Sequence, residues 1–202
     1  MSHNHQKKIA VINDMSGFGR CSLTVSLPII SYLGIQCCPL PTSILSNHMG
    51  YGEYFFDDYT DRMEEYISKW RRLGLKFEGI TSGFLGSVAQ IEMVIRFIEE
   101  FRSGRTQVII DPVMGDNGRI YATYTEEMCN EMKKLIEYAD IITPNVTECC
   151  RLTDTAYKDS GWKEGELYDM ARKLMERGPG KVVVTGILQG EFIASYVAER
   201  GK

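Results

Sequence analysis

Four short apolar runs that stop at polar or turn residues constrain this chain most: residues 9–14 (I-A-V-I-N-D), 108–112 (V-I-I-D-P), 140–145 (D-I-I-T-P-N) and 181–186 (K-V-V-V-T-G). Each is rich in Val and Ile and lacks the alternation of a strand with one wet face. They therefore read as strands covered on both sides, the condition of a parallel sheet flanked by helices. Helical patterns lie between them. Residues 92–101 place Met93, Phe97 and Phe101 on one face, residues 125–138 carry Met128, Met132, Leu135 and Ile136, and residues 167–177 carry Met170, Leu174 and Met175 before a Gly178-Pro179-Gly180 stop. Strand and helix alternating in this way predict an α/β fold with a mostly parallel sheet.

Further strands are expected at residues 36–40, 77–81 and 191–197, the last following a Gln189-Gly190 turn too short for anything but an antiparallel pair. Residues 57–72 mix both charges with Met63, Ile67 and Trp70 and read as an amphipathic surface helix. With 23 Lys and Arg against 27 Asp and Glu, the chain offers no basic field for a nucleic acid. No apolar run approaches the ~20 residues that span a bilayer. The first residues lack the apolar core of a signal peptide, so a cytoplasmic protein is expected, with residues 1–7 disordered and residues 1–202 forming one domain. Six cysteines show no metal-ligand spacing and read as free thiols. His3 and His5 fall in the terminal segment, leaving His48 as the one histidine inside the domain.

Ligands of open α/β sheets bind beyond the carboxyl ends of the strands. That rule selects Asp14, Asp111, Thr143 with Asn145, and Thr185 with Gly186. Pro112 holds Asp111 out of helical geometry, and Met114-Gly-Asp-Asn-Gly118 forms a turn that exposes Asp116. Pro144 suits the start of a helix, which puts Asn145 and Glu148 on one face of its first turn. Carboxylates Asp111, Asp116 and Glu148 at one edge suit a hard cation such as Mg²⁺ and hence phosphoryl transfer. The same residues are also what local helix starts and turns require. The G-F-G-R of residues 17–20 lacks the third glycine of a dinucleotide fingerprint. Its glycines instead allow a small ligand near the backbone, with Asp14 accepting a hydrogen bond or capping the next helix.

Six segments in order carry a family resemblance: D-M-S-G-F-G-R at 14–20, S-N-H-M-G-Y at 46–51, T-S-G-F-L-G-S at 81–87, D-P-V-M-G-D at 111–116, I-T-P-N-V-T-E at 142–148 and V-V-V-T-G at 182–186. From residue 9 to residue 197 the chain resembles the pyridoxal/pyridoxamine kinases of the ribokinase-like superfamily. The resemblance implies a three-layer fold, a mostly parallel central sheet with helices on both faces and an antiparallel strand near the C-terminus. It implies ATP-dependent phosphorylation of the 5′-hydroxymethyl group of a B6 vitamer, ATP and Mg²⁺ as cofactors, and a homodimer. By resemblance, Asp14, Ser16, His48 and Phe84 line the vitamer pocket, and Tyr121 lies in a covering loop. Asp111, Asp116, Thr143, Thr185 and Gly186 face the nucleotide, and Asp111, Asn145 and Glu148 hold the metal, the last two through water.

Three departures accompany the resemblance. Asp14 stands where pyridoxal kinases usually carry Ser and follows the habit of hydroxymethylpyrimidine kinases. Met49 stands where Thr is common. The G-T-G-D string that holds the family's general base is absent from the 202 residues. The expectation is a domain incomplete at its C-terminus, with apolar surface left exposed and little activity, so no catalytic residue is assigned. A hydroxymethylpyrimidine kinase and a non-catalytic vitamin-binding fragment remain the alternatives.

Overall fold

Strand β1 (Lys8–Phe18) organises the first half of the chain, with Ala10, Val11 and Ile12 almost fully buried. The computed structural model describes residues 6–201, so His3, His5 and most of the expected disordered terminus lie outside the described residues. Gln6 and Lys7 are engaged: the Gln6 side chain donates to the Gly34 carbonyl at 3.2 Å, and the Lys7 carbonyl accepts the Gln36 N–H at 2.9 Å. The chain divides into two compact units, one ending at Val108 and the other starting at Ile109.

In the first unit β1 lies between β2 (Gln36–Asn47) and β4 (Gly79–Ser82), parallel to both, and β3 (Phe56–Asp58) adds to β2 antiparallel. Sequence reasoning ends β1 at Asp14 and treats the next residues as a loop, whereas the strand continues to Phe18. The reason is pairing. After a bulge between Asn13 and Met15, β1 resumes register with β2 through Met15 opposite Ile44, Ser16 opposite Leu45 and Phe18 opposite Asn47.

Helix α1 (Ser22–Tyr32) contains Pro28 and no charged residue, buries Leu23, and leaves Ile29 and Tyr32 exposed. Helix α2 (Thr60–Arg72) has the expected amphipathic pattern, with Met63 and Ile67 inward, although Asp57 and Asp58 belong to β3. Helix α3 (Val88–Phe101) is capped by Ser87, whose Oγ accepts the Gln90 N–H at 3.2 Å. It buries Phe97 against Trp70 and Phe77 and stacks Phe97 on Phe101 with centroids 4.5 Å apart.

In the second unit β5 (Gln107–Ile110) and β9 (Lys181–Gln189) flank β8 (Ile141–Ile142), all parallel. Antiparallel β10 (Phe192–Glu199) follows the expected tight turn. β5 is the strand on which the division falls, its first residues pairing in the first unit through the Gln107 N–H and Glu78 carbonyl at 3.0 Å. β8 is shorter than predicted because Pro144 has no N–H to extend the ladder, the last bond to the β5 side being Thr143 N–H to the Ile110 carbonyl at 3.1 Å. Helices α4 (Glu126–Leu135), α5 (Val146–Thr153) and α6 (Glu164–Arg177) complete the unit. A small hairpin, β6 (Gly115–Asp116) with β7 (Arg119–Ile120), stands where sequence shows only a turn.

The mostly parallel α/β class and its antiparallel C-terminal strand are as the sequence predicts. All six cysteines are free. No helix among the described residues is long and apolar enough to cross a membrane.

Candidate active-site clusters

The singled-out residues fall into two clusters, one in each unit. In the second unit the chain leaves β5 at Asp111 and β8 at Thr143, and the Thr143 side chain hydrogen-bonds the Asp111 carboxyl. Burial outweighs that bond and pushes the Asp111 carboxyl up to about 6. Two residues past Thr143, Asn145 begins α5 with a reciprocal capping box. Its Oδ1 accepts the Glu148 N–H at 3.0 Å, and Glu148 Oε2 accepts the Asn145 N–H at 2.7 Å.

Glu148 does more than cap. Its Oε1 accepts the Met114 N–H at 3.1 Å, which ties the loop after Asp111 to the start of α5, and the Asn145 amide donates to the Gly115 carbonyl at 2.8 Å. Only 3% exposed, the Glu148 carboxyl is pushed up to about 8, first by burial and then by the nearby Asp111 charge. Backbone amides of Asn145, Met114 and Gly115 offset part of this, and neither carboxyl owes any relief to a Lys or Arg.

Asp116 does not join this pair. It is exposed, and its two carboxylate oxygens accept from the Asn117 backbone at 2.8 Å and side chain at 3.1 Å. Thr185 reaches the cluster through the backbone, its N–H donating to the Pro144 carbonyl at 2.9 Å and its strand bridging Asn145. Gly186, at φ +71°, lies beside Asn145 where a Cβ would meet the Asn145 Cβ at 3.9 Å. A cavity of about 190 Å³ gathers Asp116, Asn145 and Gly186, together with Thr147, Tyr157 and Trp162. Sequence reasoning missed the last three. The Thr147 hydroxyl accepts the Gly118 N–H at 2.9 Å, and Tyr157 packs against Gly118, so both brace the β6–β7 hairpin.

Tyr121 belongs to this unit too. Its N–H donates to the Met114 carbonyl at 3.0 Å, and burial together with the charges of Asp116, Glu148 and Asp111 raises its phenol. Hard oxygen donors, with a half-buried Asp111 carboxyl whose charge raises the cost of ionising buried Glu148, fit a divalent cation such as Mg²⁺. Both Glu148 oxygens and Asn145 Oδ1 already accept amides, so the fit is to contact through water. Among the described residues no three His, Cys, Asp or Glu side chains form a ready-made metal cage.

In the first unit Asp14 is 6% exposed, and its carboxylate accepts from the Ser16 hydroxyl at 2.9 Å and from the Ser22 hydroxyl at 2.5 Å. The second bond ties it to the first residue of α1, close to the capping role the sequence allowed. Asn13, which sequence reasoning passed over, links Asp14 to Phe84: its Oδ1 accepts the N–H of both, at 3.0 and 2.9 Å. Phe84 is 5% exposed. His48 is exposed, at the end of β2, where its N–H donates to the Phe18 carbonyl at 2.9 Å. Its Nδ1 accepts the Gly50 N–H at 3.1 Å, which leaves the imidazole proton on Nε2. Phe18 and Tyr51 stand next to it with ring centroids 5.2 Å apart.

Comparison with known proteins bears on the family. The chain is 28% identical over 180 residues to the pyridoxal kinase of Arabidopsis thaliana, covering 85% of this chain and 56% of that protein. It thus spans little more than half of that curated relative's length. A crystal structure from Bacteroides thetaiotaomicron, described as a phosphomethylpyrimidine kinase and obtained with pyridoxal, superposes with a TM-score of 0.93 at 43% identity. That match covers 97% of this chain and 69% of the other. Pyridoxal kinase from Entamoeba histolytica superposes with a TM-score of 0.86 at 25% identity, covering 96% of this chain and 70% of its own. Residues 64–199 match the profile of the phosphomethylpyrimidine kinase family, and the chain belongs to that family.

Proposed function

We propose that this chain carries the vitamer and nucleotide sites of a kinase that transfers the γ-phosphoryl group of ATP to the 5′-hydroxymethyl group of pyridoxal, pyridoxine or pyridoxamine. The observation that carries the reading is the Asp111–Glu148 pair: Asp111 half-buried and bonded by the Thr143 side chain, Glu148 buried and held on the backbone amides of Met114 and Asn145. Two acid groups kept from water without a basic partner are poised for a cation and the phosphates it accompanies. When bound, Mg²⁺ would neutralise phosphate charge, held by Asp111 and, through water, by Asn145 and Glu148. The chain's own donors act beside it. Thr143, Thr185 and the open backbone at Gly186 suit phosphate oxygens, while Asp116 and Tyr121 border the same loop.

In the first unit Asp14 supplies an acceptor and Ser16 a hydroxyl, His48 presents an Nε2–H donor, and Phe84 packs against the ring. The relative obtained with pyridoxal favours a B6 vitamer. The buried Asp14 carboxylate favours hydroxymethylpyrimidine as a second substrate, since a carboxylate accepts readily from an aminopyrimidine. A homodimer is part of the proposal, supported by the uncharged α1, which leaves Ile29, Tyr32 and the adjoining Leu33 exposed.

The test is to incubate the protein with ATP, Mg²⁺ and either substrate, alone and in competition, following phosphorylated product by chromatography. Pyridoxal 5′-phosphate formation that hydroxymethylpyrimidine inhibits weakly supports the reading. Phosphorylation of the pyrimidine alone replaces it with the second.

A further inference from the structure

The loop from Gly83 to Ser87 in the first unit has its polar backbone tied down by one backbone carbonyl and by side chains from other parts of the sequence. The Gly83 N–H donates to the Ile12 carbonyl at 2.9 Å. The Phe84 N–H donates to Asn13 Oδ1 at 2.9 Å, and the Phe84 carbonyl accepts the Thr42 hydroxyl at 2.8 Å. The Gly86 N–H donates to Gln90 Oε1 at 2.7 Å, and the Gln90 amide returns to the Thr42 carbonyl at 2.8 Å. Thr42 and Gln90 are fully buried. A Cβ on Gly83 would lie 2.7 Å from Asn13 Cγ, so the Asn13 amide is seated flush against the backbone there.

We infer that Asn13 and Thr42 are positioning residues for the substrate ring, fixing Phe84 from both sides of its peptide backbone and setting it in register with Asp14. The inference rests on the proposal that Asp14 and Phe84 contact the vitamer. A single atom, Asn13 Oδ1, takes the N–H groups of both Phe84 and Asp14, so the packing surface and the acceptor cannot move independently. Thr42 closes the other side. A ring that must meet a carboxylate and an aromatic side chain together loses affinity when the two are uncoupled, even though neither contact residue has changed.

Thr42→Val keeps the shape and removes the hydroxyl, while Thr42→Ser keeps the hydroxyl. Thr106→Val is the matched control, because the buried Thr106 hydroxyl also donates to a phenylalanine carbonyl, that of Phe77, at 2.7 Å and away from this loop. Pyridoxal is titrated into each protein, thermal melting is recorded, and amide exchange is measured over residues 83–87. The inference requires that Thr42→Val weaken pyridoxal binding by about tenfold and speed exchange in the loop. Thr42→Ser should recover most of the affinity, and Thr106→Val should lower the melting temperature while leaving the pyridoxal affinity unchanged. Asn13→Ala should repeat the Thr42→Val result, and Asn13→Asp, which keeps the acceptor, should recover it. Equal pyridoxal affinity in Thr42→Val and the unmutated protein overturns the inference alone. Absence of pyridoxal binding by the unmutated protein overturns the vitamer reading and this inference with it.

Discussion

Glu148 shows how one side chain can be both a structural cap and a chemical asset. Its folded carboxyl titrates near 8 against an ordinary 4.5, with burial the main cause and Asp111 the second. A raised acid means that the folded protein holds its proton where the unfolded chain has released it. Its stabilising contribution is therefore complete below pH 4.5 and is lost as pH rises toward 8. In EDTA, urea unfolding should show stability falling across that window by at most about 1.4 kcal/mol per pH unit from this group. Asp111, titrating near 6, adds to the lower part of the range. Glu148→Gln should flatten the profile, and an unchanged slope would show that Glu148 is not the group responsible. The pairing of Asn145 with Glu148 was readable because a capping box is local, three residues apart. Asn13 was not, because its partner Phe84 lies 71 residues away and only folding brings them together.

Among the elements, the β6–β7 hairpin is the most exacting. Asn117 at φ +50° and Gly118 at φ +73° form its two-residue turn, both in the left-handed region. A Cβ on Gly118 would come within 2.6 Å of the Tyr157 ring. Gly118→Ala should therefore cost more than the ~1 kcal/mol of an ordinary left-handed alanine. It should also loosen Asp116, visible as faster amide exchange over residues 115–120. Pairing Gly118→Ala with Tyr157→Ala should recover part of the loss, separating the ring clash from the backbone strain. The Asn-Gly pair was visible in the sequence as a turn. The strands on either side were not, since two residues carry no periodicity. A related limit explains β1 and β2, whose ends past Asp14 and Leu40 mix small, polar and apolar residues or follow a proline and are held by each other's ladder more than by composition.

For the molecule as a whole, order and class were readable because repeated apolar runs and helical stripes reinforce one another along the chain. What escaped was contact at long sequence separation: the bulge, β3 and the network behind Phe84. In the second unit β10 pairs with β9 on one side only among the described residues. Phe192 and Ile193 are each 76% exposed and Val197 57%, with Leu188 of β9 at 51%. Such a strand presents unpaired backbone groups beside apolar side chains, and a net charge of −4 gives only modest repulsion between molecules. The practical outcome is colloidal. Light scattering of the concentrated protein should rise with time and warming, and Ile193→Lys, which places a charge on that margin, should slow the rise without altering the melting temperature by more than a few degrees. Storage life in solution would then be set by one strand, whatever the stability of the fold behind it.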